Sequence, residues 1–323
     1  MMTDLLYINW NFNPRIIDSL NTPRWYGLMW GLGFYLGFEV LKRLYKKDGV
    51  PSDWLDKSFI YVLVGGVLGA RLGHCLFYEP EYYLSNPFEI LMIWKGGLAS
   101  HGGAIGVIIA AILLNRNVVK GKVLWILDRL VVPTALAAGL IRLGNLFNHE
   151  ILGKVTNSNF GFKFLRDEGV STVDSETALT TLALRVTNAT DVNGETYSDK
   201  INEAYAKLAG SPAEYAEYFD AVPVRYPAQL FEAICYFIIF GIIMWLFWKT
   251  NARKLTGFLL GVFFALVFGA RFFIEFIKER QDGFDETLTT ALNMGQYLSI
   301  PLVLIGLYLI FRNVKSLNRS DLD

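Results

Sequence analysis

The segment Gly139-Leu-Ile-Arg-Leu-Gly-Asn-Leu-Phe-Asn-His-Glu-Ile-Leu-Gly153 closes an apolar run that begins near Val123. Five polar side chains fall within nine positions of it: Arg142, Asn145, Asn148, His149 and Glu150. On a helix, positions i, i+3 and i+7 share one face, so Arg142, Asn145 and His149 are predicted to point the same way. A cation and amides at the edge of a lipid core are costly unless they bind something. The segment therefore predicts a membrane-spanning helix with a binding site at its end.

The composition of the whole chain agrees with a membrane location. Of its 323 residues, 53% are hydrophobic and only 19% are charged, and the mean hydropathy is +0.34. A soluble domain of this length would carry more charge. Apolar runs of about twenty residues recur, which indicates an all-α polytopic membrane protein. The formal net charge is zero, so nothing indicates nucleic-acid binding.

We predict seven transmembrane helices from these runs. Their approximate bounds are 25–41, 59–78, 96–114, 123–147, 228–248, 257–277 and 294–311. The second run contains Gly65, Gly66, Gly69 and Gly73, which allow a close helix approach. Residues 1–147 are predicted to form a lead-in and helices one to four, and residues 226–323 helices five to seven with a cytoplasmic tail.

Residues 148–225 lie between helices four and five and differ in composition. They are rich in Ser, Thr, Asn, Asp and Glu, and no run among them could span a bilayer. Alternation predicts a strand at 181–186, and helical patterns cover 199–209 and 212–219. These residues are predicted to form a small soluble α+β arm.

Basic residues in the short loops predict the orientation. One set of loops and the tail (42–57, 115–122, 249–254 and 312–323) carries 14 Lys and Arg, whereas the opposite set (1–24, 79–95 and 278–293) carries 5. The positive-inside rule puts the richer set in the cytoplasm. The N-terminus and the arm are then extracytoplasmic, and the C-terminus is cytoplasmic.

With this orientation, the polar residues of all seven predicted helices fall near the outer leaflet. They are Tyr26, Arg71, His74, His101, Arg142, Asn145, Gln229, Glu232, Arg271, Glu275, Gln296 and Ser299. The arginines among them present planar donor forks that suit a phosphate, and phospholipid headgroups are the phosphate esters found at that depth. His101 has glycine neighbours, and because histidine side chains ordinarily gain and lose a proton near neutral pH, it could accept a proton.

Structural roles compete with these functional interpretations. Arg71 could extend to the bilayer edge or pair with an acid, Arg271 could form a helix pair with Glu275 at i+4, and His101 could be a packing histidine. His74 and His149 are interpreted as bystanders. Asp128 and Arg129 are interpreted as a solvated helix turn. Cys75 and Cys235 lie in apolar runs and are predicted to be unpaired core residues.

Neither a metal nor another cofactor is predicted. The histidines His74, His101 and His149 lie in separate elements, and no HExxH or paired-cysteine spacing occurs.

Several motifs, taken in order, resemble the prolipoprotein diacylglyceryl transferases, which are bacterial integral membrane enzymes. The motifs are 26–29 (Tyr-Gly-Leu-Met), 69–78, 96–106, the opening segment 139–153, 227–232 (Pro-Ala-Gln-Leu-Phe-Glu), 271–276 and 294–301. Together they cover all the predicted helices except their apolar filler, and they do not extend into the arm beyond its first residues.

The resemblance implies a reaction and its partners. The diacylglyceryl group of phosphatidylglycerol would move to the lipobox cysteine thiol of a preprolipoprotein signal peptide, forming a thioether and releasing glycerol phosphate. The enzyme would be a multi-pass protein of the bacterial inner membrane, with its site facing the outer leaflet, and we expect a monomer. Transport of lipid between leaflets and non-catalytic lipid binding are the alternative functions.

The resemblance also assigns residues. It implies catalytic roles for His101, Arg142 and Arg271, and phosphatidylglycerol binding by Tyr26, Arg142, Asn145, Glu150 and Gly153. Supporting residues would be Arg71, Gln229, Glu232, Glu275 and Gln296. Two questions stay open. His101 could act as the general base or orient the headgroup, and Glu150 could bind glycerol or balance Arg142. In many members a histidine stands where this chain has Tyr226, which puts a role for that histidine in doubt.

Overall fold

The structure is a computed structural model. It describes residues 6–17, 23–93, 96–158, 160–166, 203, 207, 222–279 and 292–320.

Helices make up most of this described chain. Those with described bounds are α1 (Trp25–Asp48), α2 (Asp53–Phe77), α3 (Pro80–Ser85), α4 (Ser100–Leu114), α5 (Val123–Phe147), α6 (Ala228–Lys249), α7 (Phe258–Ile274) and α8 (Met294–Ser320). Short 3₁₀ helices span Pro87–Leu91 and Ala252–Lys254, and a π-helical turn, Asn115–Val119, follows α4.

Charge and glycine set the junction between α1 and α2. The last turn of α1 holds Lys46 and Lys47, which suit the negative end of the helix dipole. Gly49 then adopts a positive φ of 70°, a conformation that glycine reaches without strain. The first turn of α2 holds Asp53 and Asp56, which suit the positive end of that helix.

Within the part of the chain that the structure describes, five helices are long and apolar enough to cross a membrane. They are α2, α4 with its π turn (Ser100–Val119), α5, α6 and the Met294–Asn313 part of α8. Helix α7 is also apolar but has only 17 residues. The chain is therefore a mainly helical, multi-pass membrane protein.

The chain divides into two compact units. The first unit comprises Met1–Phe34, Leu136–Ile239 and Leu266–Val303, and the second comprises Tyr35–Ala135, Phe240–Ala265 and Leu304–Asp323.

In the first unit a three-stranded sheet packs on the end of α5. Strand β1 (Leu6–Trp10) pairs in parallel with β2 (Phe160–Phe164), and β2 pairs antiparallel with β3 (Val224–Arg225). Its core contains Trp10, Leu146, Leu152, Phe162, Phe164 and Leu230. The Trp10 indole donates to the Leu146 carbonyl at 3.0 Å. The lead-in thus supplies a strand to the sheet, which the sequence did not predict.

In the second unit, glycines bring α2 and α4 into backbone contact. A Cβ on Gly73 would lie 2.7 Å from the Cα of Gly102, and a Cβ on Gly69 would lie 2.8 Å from the Cα of Gly106. The predicted close approach through the glycines of α2 is confirmed. Small residues at this spacing let membrane helices approach closely.

The prediction of a solvated turn at Asp128 and Arg129 is wrong. Both residues are buried, with 0% and 2% exposure. The Asp128 carboxylate accepts from the backbone amides of Gly257 and Leu260 at 2.6 and 2.8 Å, so it caps the start of α7. The Arg129 Nε donates to Asp48 at 2.8 Å. Long-range partners, which a local pattern cannot reveal, remove these charges from solvent.

Most of the predicted arm lies outside the described residues. This applies to the strand at 181–186 and the helix at 212–219. In the helix at 199–209 only Glu203 and Lys207 are described, and both are helical and paired at 3.0 Å. Cys75 and Cys235 are free thiols.

Candidate functional site

Arg142 lies near the end of α5, in the first unit, and faces a buried carboxylate on α6. Its Nε is 2.7 Å from Glu232 Oε2, and the Glu232 side chain is fully buried. Its Nη1 donates to Asn145 Oδ1 at 3.4 Å. Neither Glu232 oxygen accepts a directed hydrogen bond from the described residues. The contact is therefore an ion pair, and Glu232 keeps acceptor capacity for a hydroxyl donor.

Glu150 is oriented by amides rather than by an arginine. Its two carboxylate oxygens accept from the side-chain amides of Asn145 and Asn148, each at 3.0 Å. The Gln229 side-chain amide donates to the Glu150 backbone carbonyl. Arg142 pairs with Glu232, so Glu150 is not the ion-pair partner of Arg142. Two neutral amide donors orient the Glu150 carboxylate instead.

The backbone around Glu150 is strained. His149 and Ile151, which flank it, have positive φ values of 56° and 57°. Such a conformation is uncommon for any non-glycine residue and an outlier for a β-branched one. Strain of this kind persists only where surrounding contacts fix it, and it is concentrated at functional sites.

The prediction that His149 shares a helical face with Arg142 and Asn145 is wrong. Helix α5 ends at Phe147, and the chain turns there. The His149 ring is buried, and its Nε2–H donates a hydrogen bond to the Phe12 carbonyl at 2.9 Å. Burial lowers the pKa of His149 to about 4. His149 therefore secures the lead-in, as its interpretation as a bystander requires.

Two small residues let other segments approach this turn. A Cβ on Gly153 would lie within 3 Å of Tyr226 atoms, and the Gly153 amide donates to the Tyr226 carbonyl at 3.1 Å. A Cβ on Gly144 would lie 2.9 Å from the Tyr26 ring. Tyr26 therefore lies directly against α5 at Gly144, two residues after Arg142. Tyr226 contributes its backbone and its bulk to this contact.

Arg271 lies in the last turn of α7, in the first unit. Among the described residues its guanidinium makes no hydrogen bond or ion pair, and the side chain is only half-buried. Arg271 and Glu275 do not form the i,i+4 ion pair that the alternative interpretation predicts. Glu275 instead lies 3.6 Å from Lys278 Nζ, and it packs against Gly295.

Two further residues lie beside these charged groups, and neither of them was predicted from the sequence. Lys278 is buried beside Glu275, and its backbone bridges to Gly153. Burial lowers the pKa of Lys278, and its charge interacts with Glu232, Glu275, Arg142 and Arg271. Tyr236, one turn after Glu232, is buried and hydrogen-bonded to Arg142. The Glu-x-x-Lys spacing at 275–278 could have flagged the lysine.

Gln229 and Gln296 have supporting contacts. Gln296 accepts from the Asn293 backbone amide at 2.9 Å and donates to the Phe272 carbonyl at 3.2 Å, which joins the start of α8 to α7. Gln229 is fully buried beside the strained turn.

Arg71 belongs to the second unit, where its donors are already used. Four backbone carbonyls accept from its guanidinium, those of Glu89, Ile90, Gly96 and Gly97. The Tyr83 ring lies 4.9 Å from it. With 2% exposure, Arg71 fixes the connection between α2 and α4. The arginines with donors left for a phosphate are thus Arg142 and Arg271.

His101 also belongs to the second unit, at the start of α4. Its side chain is exposed, and the rings of Phe77 and Tyr78 lie 5.6 and 5.8 Å away. The His74 Nε2 is 3.7 Å from a Glu79 carboxylate oxygen. His101 is not enclosed by packing, which leaves its ring nitrogens open to a ligand.

The charges of the first unit have a simple pattern. Glu232 pairs with Arg142 and Glu275 lies beside Lys278, so the charges without an ionic partner among these residues are Arg271 and Glu150, whose carboxylate accepts from amides. The free arginine of such a cluster can bind a phosphate, and its oriented amide and carboxylate groups can bind the hydroxyl groups of a ligand.

Comparison with known proteins agrees with this chemistry. The sequence model of the family described as prolipoprotein diacylglyceryl transferase matches residues 16–312. The phosphatidylglycerol–prolipoprotein diacylglyceryl transferase of Porphyromonas gingivalis is 40% identical over 98% of this chain and 98% of its own length. The enzymes of the same name from Chloroherpeton thalassium and Bacteroides fragilis are 39% and 36% identical, over 96% and 95% of this chain and 95% of their own lengths. The chain belongs to the prolipoprotein diacylglyceryl transferase family.

Proposed function

We propose that this protein transfers the diacylglyceryl group of phosphatidylglycerol to the lipobox cysteine of a preprolipoprotein. Family membership supports the reaction. The single structural observation that supports it best is Arg271, whose half-buried guanidinium has no partner among the described residues while the neighbouring charges are paired. A phosphodiester would supply the missing anion.

The geometry of the first unit supports the following substrate contacts. Arg271 and Arg142 bind the phosphate of phosphatidylglycerol. Asn145 and Glu150 bind the hydroxyls of the terminal glycerol, since the carboxylate of Glu150 is already oriented by amides. Tyr26 and Gly153 shape the wall, with Tyr26 lying against Gly144.

The transfer is a displacement at carbon. The substrate thiolate attacks the glyceryl carbon that carries the phosphate ester, so an S–C bond forms and the C–O bond to phosphate breaks. Glycerol phosphate leaves with the electron pair, and the thiol proton passes to a base. A cysteine thiol has a pKa of about 8.5, and a nearby positive field favours its thiolate. Arginine donors aimed at the departing oxygen stabilise it by roughly 3–4 kcal/mol each.

His101 is proposed as that base, since its ring is exposed at the start of α4. The alternative is that it orients the glycerol headgroup. The pH–rate profile of His101→Gln separates the two. A base role predicts loss of the rising acidic limb together with a roughly 100-fold or greater fall in rate. An unchanged profile with near-full activity rules the base role out.

The proposed topology places this chemistry on the outer side of the bacterial inner membrane. Seven spans, an extracytoplasmic N-terminus and a cytoplasmic C-terminus are supported by the excess of basic residues in alternate loops. Residues 148–225 would be the extracytoplasmic arm between the N-terminal and C-terminal groups of spans. We expect a monomer in the bilayer.

Purified protein, labelled phosphatidylglycerol and a lipobox peptide test the function directly. Transfer of label to the peptide cysteine, and its loss with a Cys→Ser peptide, is the expected result. Lipid movement between leaflets of reconstituted vesicles without any transfer would instead favour a transporter. Lipid binding with neither activity would favour a scaffold.

A further inference from the structure

A cavity of about 580 Å³ lies in the second unit, where the loops at one end of the helices meet. The connections that line it are those between α1 and α2, between α4 and α5, and between α6 and α7. None of its lining residues is used in the proposed transfer. Its volume falls within the range of ordinary small-ligand sites.

The lining of this cavity is strongly basic. Lys122, Arg129, Arg253 and Lys254 contribute positive charge, whereas Asp48 is the carboxylate among the lining side chains. Helix α5 begins beside Lys122, and the positive end of its dipole adds to this charge. The charge therefore favours an anion.

A buried ion-pair cluster fixes the floor of the cavity. Asp48 is 2.8 Å from Arg129 Nε and 3.3 Å from Arg253 Nη1, so one carboxylate is shared by two arginines. Arg129 also donates to the Arg253 carbonyl at 2.9 Å, and its guanidinium lies 4.3 Å from the Trp125 ring. The Asp128 carboxylate lies 4.0 Å from Arg129 Nη1, so two carboxylates balance the two arginines of this cluster.

The rim of the cavity holds two further cations. Lys122 and Lys254 are exposed, and neither has an acidic side chain within 4 Å in the part of the chain that the structure describes. Lys42 and Lys57, by contrast, pair with Glu39 and Asp53, and both lie outside the cavity. The net positive charge of the cavity therefore comes from Lys122 and Lys254, which lie beside a buried cluster whose own charges balance.

We propose that this cavity binds a phosphate group, as the headgroup of an anionic phospholipid or as a soluble phosphate ester. The loops that form it connect membrane helices, so it opens at the depth of headgroups. Arg253, whose side chain is partly exposed, and the flexible lysines suit phosphate oxygens. The inference does not depend on the proposed transfer reaction, because it uses none of its residues.

Binding to full-length protein in detergent tests this site. The double variant Lys122→Gln/Lys254→Gln removes two exposed charges and leaves the buried cluster intact. Lys42→Gln/Lys57→Gln removes two charges elsewhere in the same unit and is the matched control. Native mass spectrometry counts retained dioleoyl phosphatidylglycerol against dioleoyl phosphatidylcholine, and calorimetry measures sn-glycerol 3-phosphate.

We expect the cavity variant to retain one phosphatidylglycerol fewer than the control, with about tenfold weaker affinity at that site. This result identifies a lipid headgroup. Weaker binding of glycerol phosphate alone, with lipid retention unchanged, identifies a soluble phosphate ester. If the two double variants bind both probes equally, the site does not exist. Phosphatidylglycerol bound elsewhere does not disturb the test, because it contributes equally to both variants.

Discussion

At the scale of single residues, Arg142 and Arg271 have the same side chain but different surroundings. Arg271 has no partner among the described residues, so its removal leaves no buried charge behind. We predict that Arg271→Gln lowers the transfer rate roughly 100- to 1000-fold, the usual effect of losing one transition-state donor. Its midpoint of unfolding should stay near that of the unchanged protein. A variant that unfolds early would show that Arg271 is structural.

Arg142 should behave in the opposite way. Arg142→Gln strands the fully buried Glu232, and breaking a buried pair costs about 3–5 kcal/mol of stability. The double variant Arg142→Gln/Glu232→Gln removes both charges and should recover most of that stability without recovering activity. Chemical unfolding in detergent, run beside the transfer assay, measures both. Recovery of activity in the double variant would contradict a role of Arg142 in binding phosphate.

His149 gives a prediction about pH. Its pKa is about 4 in the folded protein because it is buried, against about 6.5 when unfolded. The unfolded chain therefore binds the extra proton first. The stability contributed by neutral His149 is complete above about pH 6.5 and is lost as the pH falls towards 4, by roughly 3 kcal/mol. His149→Gln should lack this part of the acid sensitivity. Because carboxylates titrate in both proteins, the difference between the two unfolding curves is the quantity to compare.

At the scale of elements, the contact between α2 and α4 depends on which face of α4 a glycine occupies. A Cβ on Gly106 would enter the backbone of α2 at Gly65, whereas a Cβ on Gly103 would have only ordinary contacts at 3.5 Å. We predict that Gly106→Ala destabilises the protein by about 1–3 kcal/mol through overpacking. Gly103→Ala should be neutral or slightly stabilising, since alanine favours helix. Equal unfolding midpoints for the two variants would refute the close approach.

At the scale of the whole molecule, the local sequence pattern predicted the bounds of the helices better than their long-range contacts. Hydropathy gave α5 its bounds at Val123 and Phe147, because the lipid core demands a continuous apolar run. It could not give the pairing of β1 with β2, which joins segments some 150 residues apart, or the choice of Glu232 as the partner of Arg142. Periodicity also overextended the helix to His149.

The same limit applies to the candidate site. Residue type marked Arg142, Asn145 and Glu150, since polar groups at the end of an apolar run are informative by themselves. Lys278 was overlooked because it stands just beyond a helix, where a lysine is ordinarily solvated, and only tertiary packing buries it. Arg71 shows the converse, since a buried arginine can be consumed by backbone carbonyls.

The orientation of the chain can be tested with two serines that match each other closely. Ser52 and Ser85 are both exposed, and they lie on the α1–α2 and α2–α4 connections, at opposite ends of α2. In a background of Cys75→Ala/Cys235→Ala, the positive-inside rule predicts that Ser85→Cys reacts with a membrane-impermeant maleimide in intact spheroplasts. Ser52→Cys should react only after the cells are lysed, because five basic residues surround it in the loop 42–57. Labelling of both cysteines after lysis is the control for accessibility. The reverse pattern in intact cells would invert the topology and place the cluster of Arg142 and Arg271 on the cytoplasmic side, where the proposed reaction could not meet an exported substrate.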